Sequence, residues 1–242
     1  MSLSREIRKI GIIGAMTSEM DAIKNMVQGA EITEISGISF VHGTIHGVEV
    51  VAATCGIGKV FAAICAQTMI LKFQPDLIIN IGVAGSLSPE LNIGDIAIAD
   101  KVVQHDMDAS PIGLPAGTLA GIGLVYLPCR GEVVQWMKAC ADSLAYHCLT
   151  GVIATGDVFM TDPERKKHVA DTFGAISCEM EGGSIGHVCY VNGTDFCILR
   201  AISDNGAEDA HKEYNMSLEM AADRATQVMD RFLRGVAAER GI

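Results

Sequence analysis

Apolar positions along this chain recur in two rhythms, and the alternation between them outlines a fold. Short runs at residues 9–13, 31–36, 38–45, 48–54, 77–81, 94–103, 151–154, 175–178 and 196–203, bounded by Gly, Pro or polar residues, have the length and composition of strands. Between them lie stretches with helical spacing. One is capped by Thr17 or Ser18 and carries Met20, Ile23 and Met26 on one side; the others span 59–73, 132–147, 163–172, 181–191 and 217–238. The stretch 59–73 is apolar enough to predict a buried helix. The runs 31–36, 38–45 and 48–54, split at Gly37 and His46-Gly47, predict an antiparallel meander. Gly and Pro with little periodicity between His105 and Pro128 predict a long loop acting as a lid or an interface element.

No repeat or low-complexity linker divides the chain. Strands alternating with helices therefore predict one α/β domain over residues 1–242, a three-layer α/β/α arrangement around a central mixed β-sheet. With 242 residues, 49% of them hydrophobic and 19% charged, there is ample material for a large core. The formal net charge of -11 excludes a surface that wraps a phosphate backbone, so no nucleic-acid partner is expected. The polar start leads straight into a strand and no apolar run reaches membrane-helix length, which predicts neither a secretory signal nor a membrane partner. Eight cysteines lie mostly in apolar segments without metal-binding spacing; they read as reduced core residues of a cytoplasmic protein with no bound metal.

Charge in apolar surroundings marks the candidate chemistry. Arg200 interrupts the run that ends at Ser203 and Asp204, and Glu179 and Glu181 close the run before it. A charge removed from water is costly unless paired or put to use, and ligands in open α/β sheets bind beyond the strands' carboxyl ends. Three weaker signals compete. Gly56-Ile57-Gly58-Lys59 lacks the spacing of a nucleotide-binding loop and reads as a tight turn into a helix. Gly182-Gly183-Ser184-Ile185-Gly186 matches a nucleophile elbow, with Asp204 and His211 following in triad order. The acidic neighbours Glu179 and Glu181 favour close helix packing over a nucleophilic Ser184. His105, beside Asp106 and Asp108, is the one histidine placed near a candidate site. Glu19 falls in the first turn of its helix, where the helix dipole alone would favour a carboxylate.

Taken together, Gly11 to Met16 with Glu19, Gly56 to Val60, Ala84-Gly85, Gly94-Asp95, His105-Asp106, Gly156 to Phe159, Glu179-Met180-Glu181 and Arg200 to Asp204 resemble the 5'-methylthioadenosine/S-adenosylhomocysteine nucleosidases of the purine nucleoside phosphorylase superfamily, over nearly the whole chain. The resemblance implies a hydrolase for a small nucleoside, without cofactor, working as a homodimer. It implies that Asp204 protonates the departing adenine at N7 and that Glu19 positions and activates water. Glu181 would hold the ribose hydroxyls, and Arg200 and Ser203 would support the water and Asp204. Met180 would pack on the ribose and Phe159 on the base, with the Met160 backbone reading its edge. Met16 and Ile57 would lie near the 5'-thio group, and Ala84, Gly85 and Glu179 complete the substrate-contacting set. For Asp204 to hold a proton near neutrality, burial at the end of its apolar run is the expected cause. A phosphorylase is the alternative within the superfamily, but phosphate favours Arg or clustered amide donors, whereas the loop to Glu19 offers a carboxylate.

Overall fold

The computed structural model describes residues 7–204 and 210–242, with side chains of the second stretch from Ser217 onward. The His211 side chain lies outside what is described. β1 (Lys9–Gly14) leads into α1 (Thr17–Met26), and β2 (Gln28–Ile35), β3 (Ile38–Ile45) and β4 (Val48–Thr54) form the antiparallel meander that the pattern predicts. α2 (Lys59–Phe73), β5 (Leu77–Ser86) and β6 (Ile96–Gln104) follow. The 105–128 segment holds a short 3-10 turn at Ser110–Ile112, a bridge between Leu119 and Leu124, and β7 (Leu127–Pro128). α3 (Gly131–Ser143), β8 (Cys148–Thr155), α4 (Pro163–Phe173), β9 (Ala175–Glu179), α5 (Gly182–Asn192), β10 (Asp195–Asp204) and α6 (Ala210–Arg240) complete the order.

The ten strands among the described residues form one mixed sheet. β1 pairs in parallel with β4 and β5, and β5 in parallel with β10. The sheet also closes on part of itself: β5, β10, β6, β8 and β9 pair in a circuit, completed where Gly85 and Ser86 meet Cys178 and Ser177. The mixed sheet follows from the pattern of strands and helices, but this closure does not, because it depends on two residue pairs between antiparallel strand ends. Fully buried Ile10, Ile12, Val50, Val51, Ile78, Ile79 and Ile198 fill the sheet's interior faces. α1 and α3 each pack on α6, α2 packs on α5, and α4 covers β8 and β9. No helix among the described residues is long and apolar enough to cross a membrane.

Two departures from expectation bear on the site. Helix α2 is not buried all round: Ala62, Cys65, Ala66 and Met69 face the core, while Val60, Phe61, Ile64 and Leu71 are exposed. Its uniform hydropathy hides two faces, one of them uncovered in the single chain. β5 also runs five residues past the expected end at Ile81, through Gly82 to Ser86. At its far end the pairing with β10 slips, so that Ile202 stands opposite Ala84 but Asp204 opposite Gly85.

Candidate active site

Six strands deliver residues to one cavity. It is lined by Ala15, Met16 and Glu19 after β1, Ile57 after β4, Val83 to Gly85 on β5, Val158 to Met160 after β8, Cys178 to Glu181 at the end of β9, and Ser203 and Asp204 on β10. With its mouth it encloses about 610 Å³. Every predicted site residue except Arg200 is in its wall, the position that the carboxyl-end rule assigns to a ligand.

Glu19 is held by backbone alone. As the third residue of α1 it folds back so that Oε2 accepts from the amides of Ala15 (2.8 Å) and Met16 (2.9 Å), while Oε1 accepts from Val83 (3.0 Å). Two amides at the start of α1 and one on β5 thus fix both oxygens of this buried side chain.

Beneath the cavity the completely buried Arg200 pairs through Nη2 with Glu179, lies 3.6 Å from Glu181 Oε2, and also donates to Asn80 Oδ1. The surrounding carboxylates raise its pKa further against the opposing effect of burial. Nε and Nη1 have no hydrogen-bond partner among the described residues. A Cβ on Gly82 would land on both Nη1 and Glu19 Oε1, so the absent side chain there is what lets guanidinium and carboxylate converge. Glu179 is in the cavity wall, yet its oxygens are engaged by Thr155 Oγ1, Arg200 and the amides of Glu181 (3.0 Å) and Gly182 (2.7 Å). Glu181 is freer: Oε1 accepts from Gly58 N at 2.9 Å. Burial, reinforced by Glu179, pushes its carboxyl up to about 7.

Gly58 can make that contact because its φ of 99° is open to glycine. Asp157 Oδ1 accepts from Lys59 N (2.8 Å), Asp157 N donates to Asp106 Oδ2 (2.9 Å), and Lys59 Nζ closes the network on Asp106 Oδ1 (2.7 Å). The turn at 56–59 is thus a tight turn into a helix, as expected, and it reaches the site through Gly58 and Ile57. His105 stands apart from the cavity; its Nε2 is buried against Gly156 without a hydrogen-bond partner among the described residues. Ser184 Oγ donates to the carbonyl of Lys59 at 2.7 Å and is not in the cavity wall, which accords with close packing of α5.

Asp204 differs from the expectation of dry, apolar surroundings. It is only partly buried, and Lys166 Nζ donates to Oδ1 at 2.7 Å. The apolar run before Asp204 fills the sheet; what meets the carboxylate comes from α4, and the pattern around β10 cannot reveal it. Ser203 Oγ lies 3.5 Å from the Ala84 carbonyl. Gly85 leaves room for the carboxylate, since a Cβ there would sit about 3.0 Å from Oδ2. At the mouth, Phe159 is exposed and Met160 buried. Besides Lys166, reasoning from sequence missed Asn80 and Thr155, both wholly buried polar residues inside β5 and β8, and polarity within an apolar strand was the available signal.

A family model described as the phosphorylase superfamily matches residues 9–234. A 5'-methylthioadenosine/S-adenosylhomocysteine nucleosidase of Geobacillus kaustophilus is 37% identical over 222 residues, 91% of this chain and 94% of the relative. The crystal structure of such a nucleosidase from Colwellia psychrerythraea, in complex with adenine, superposes with a TM-score of 0.90 at 32% identity, covering 95% of this chain and 96% of that one. The native structure of futalosine hydrolase from Helicobacter pylori has a TM-score of 0.89, also at 32% identity, over 96% of this chain and 99% of that one.

Proposed function

Because this chain belongs to the phosphorylase superfamily and, within it, resembles the 5'-methylthioadenosine/S-adenosylhomocysteine nucleosidases most consistently, we propose that it is an N-glycosidase that hydrolyses these nucleosides to adenine and the 5'-thio sugar. The observation that carries this reading is the gathering of Glu19, Glu181 and Asp204 around one cavity with Arg200 beneath.

Cleaving the N-glycosidic bond leaves an electron-rich purine and a sugar with cationic character at the anomeric carbon. Asp204 gives a proton to N7 of the base as the bond breaks, assistance worth roughly 10²–10⁴ in rate. Glu19, held in place by its amides, accepts from the attacking water and takes its proton. Arg200 offers Nη1 beside Glu19 to orient the same water. Glu181 accepts from the ribose hydroxyls, Met180 and Phe159 pack on sugar and base, and the Met160 backbone reads the base's edge. Met16 and Ile57 receive the 5' substituent. Attack by water in place of phosphate is supported by the charges present: Glu19, Glu179 and Glu181 surround one arginine, and a phosphate dianion would be repelled there.

The whole chain acts as one catalytic domain. A homodimer is supported by the uncovered apolar face of α2, where Val60, Ile64 and Leu71 continue from Ile57 in the cavity wall. Eight unpaired, buried cysteines support a reducing, cytoplasmic setting, where the released thio sugar would feed methionine salvage.

The test is incubation with 5'-methylthioadenosine with and without phosphate. Free methylthioribose is expected in both; the sugar 1-phosphate would make the protein a phosphorylase. Asp204→Asn is expected to fold and to lose about 10²-fold or more in kcat, and wild-type turnover in that variant would overturn the assignment of the acid. The likeness to futalosine hydrolase makes futalosine the competing substrate to assay, by the ratio of kcat/KM values.

A further inference from the structure

Among the buried positions of α4, one residue is out of character. Lys166, Val169 and Phe173 form the stripe this helix turns inward, and the first carries a charge where an apolar side chain is the rule. Its neighbours Arg165 and Lys167 are exposed, and Lys167 pairs with Asp171 one turn along. Lys166 instead reaches Asp204, in a pair whose side chains are 9% and 15% exposed. No other hydrogen-bond donor among the described residues meets that carboxylate. Lys166 is not in the wall of the nucleoside cavity. It stands behind Asp204, bordering a separate depression with Ser86, Ser88 and Pro163, so it cannot act on a nucleoside except through the aspartate.

We propose that Lys166 is a positioning residue for proton transfer to the base: it holds Oδ1 of Asp204, leaves Oδ2 for the purine, and stabilises the carboxylate that remains after the proton has gone. The proposal rests on Asp204 being the acid. In the step, the O–H bond at Asp204 breaks, N7 takes the proton, and the electron pair of the glycosidic bond passes into the purine. The negative charge left on Asp204 then finds an ammonium already 2.7 Å away. A cation so placed would leave its mark on the pH dependence of the rate, which a lysine that merely packed would not.

The other groups facing Asp204 leave this role to Lys166. Gly85 on β5 brings no charge, and the Cys178 thiol on β9, pushed up to about 12 by burial, stays neutral. On its own strand, Arg200 is committed to Glu179 and Glu181, the carboxylates on that side.

The experiment measures kcat and kcat/KM for 5'-methylthioadenosine across the pH range in Lys166→Met, Lys166→Gln, Lys166→Arg and Asp204→Asn. In the two neutral variants the low-pH plateau is expected to fall about tenfold, and the alkaline limb to move up by about one pH unit, since a positive charge beside the acid has been removed. Lys166→Arg is expected to keep the wild-type limb. Lys166→Gln keeps a polar group at the position, so a folding defect in Lys166→Met alone leaves the comparison intact. A uniform loss at every pH, with the limb unmoved in the neutral variants, would overturn the proposal. Full turnover in Asp204→Asn would instead remove the acid assignment, a result distinct from any behaviour of Lys166.

Discussion

The two ends of the cavity hold their carboxylates by different means. Glu19 is met by three backbone amides from the turn into α1 and from β5, whereas Asp204 is met by the tip of one long side chain. Amides fixed by a strand and a helix cannot follow a change of charge; a lysine on a flexible stem can. The first kind of holding fixes a carboxylate in one place; the second lets the carboxylate and its partner move together. One carboxylate is built into the fold, and the other is held at its margin.

If that contrast is sound, changes at the Glu19 end cost stability together with activity. The largest effect is expected for Arg200→Met, which strands Glu179 in a completely buried setting; unfolding by denaturant should show a loss of about 3–5 kcal/mol. Next comes Glu19→Ala, which leaves the amides of Ala15, Met16 and Val83 without their acceptor; about 3 kcal/mol is expected, and a loss close to zero would erase the distinction between the two ends. The smallest effect sharpens the comparison through pH. The Glu181 carboxyl, lifted from 4.5 to about 7, binds a proton more tightly in the folded state than in the unfolded chain. The stability cost of its charge is therefore absent below about pH 4.5, grows through the window up to 7, and is complete above it. Glu181→Gln should accordingly melt higher than the wild-type protein at pH 8 and gain nothing at pH 4, while binding the nucleoside less well. Thermal melts at the two pH values check the sign.

Most of the fold was legible because hydropathy and turn residues act locally. The meander, the helix at 59–73 and the order of strands and helices all follow from them. What was not legible depends on partners distant in sequence. The closure of β5 on β9 needs only two residue pairs, and the exposed face of α2 looks like core because hydropathy alone does not say which apolar side chains the fold covers. In the site, Glu179, Arg200 and Asp204 announced themselves as charges in apolar runs. Lys166 did not, because Arg165-Lys166-Lys167 reads as a solvated basic run; only the phase of Val169 and Phe173 sets the middle residue apart. The same locality explains why Asp204 was expected to be dry: its strand is apolar, but its counter-charge arrives on another element.

The slip in pairing beside Ser203 has a consequence for how this strand can change over time. Side chains along a regular strand look alternately to opposite sides, yet Ser203 and Asp204 are consecutive and both look into the cavity, because together they stand opposite Gly85. The extra residue gives two neighbours a shared outlook. Gaining or losing one residue upstream in β10 would turn the Asp204 carboxylate toward the packed interior, so the strand's length governs what this cavity presents as firmly as the choice of residue does.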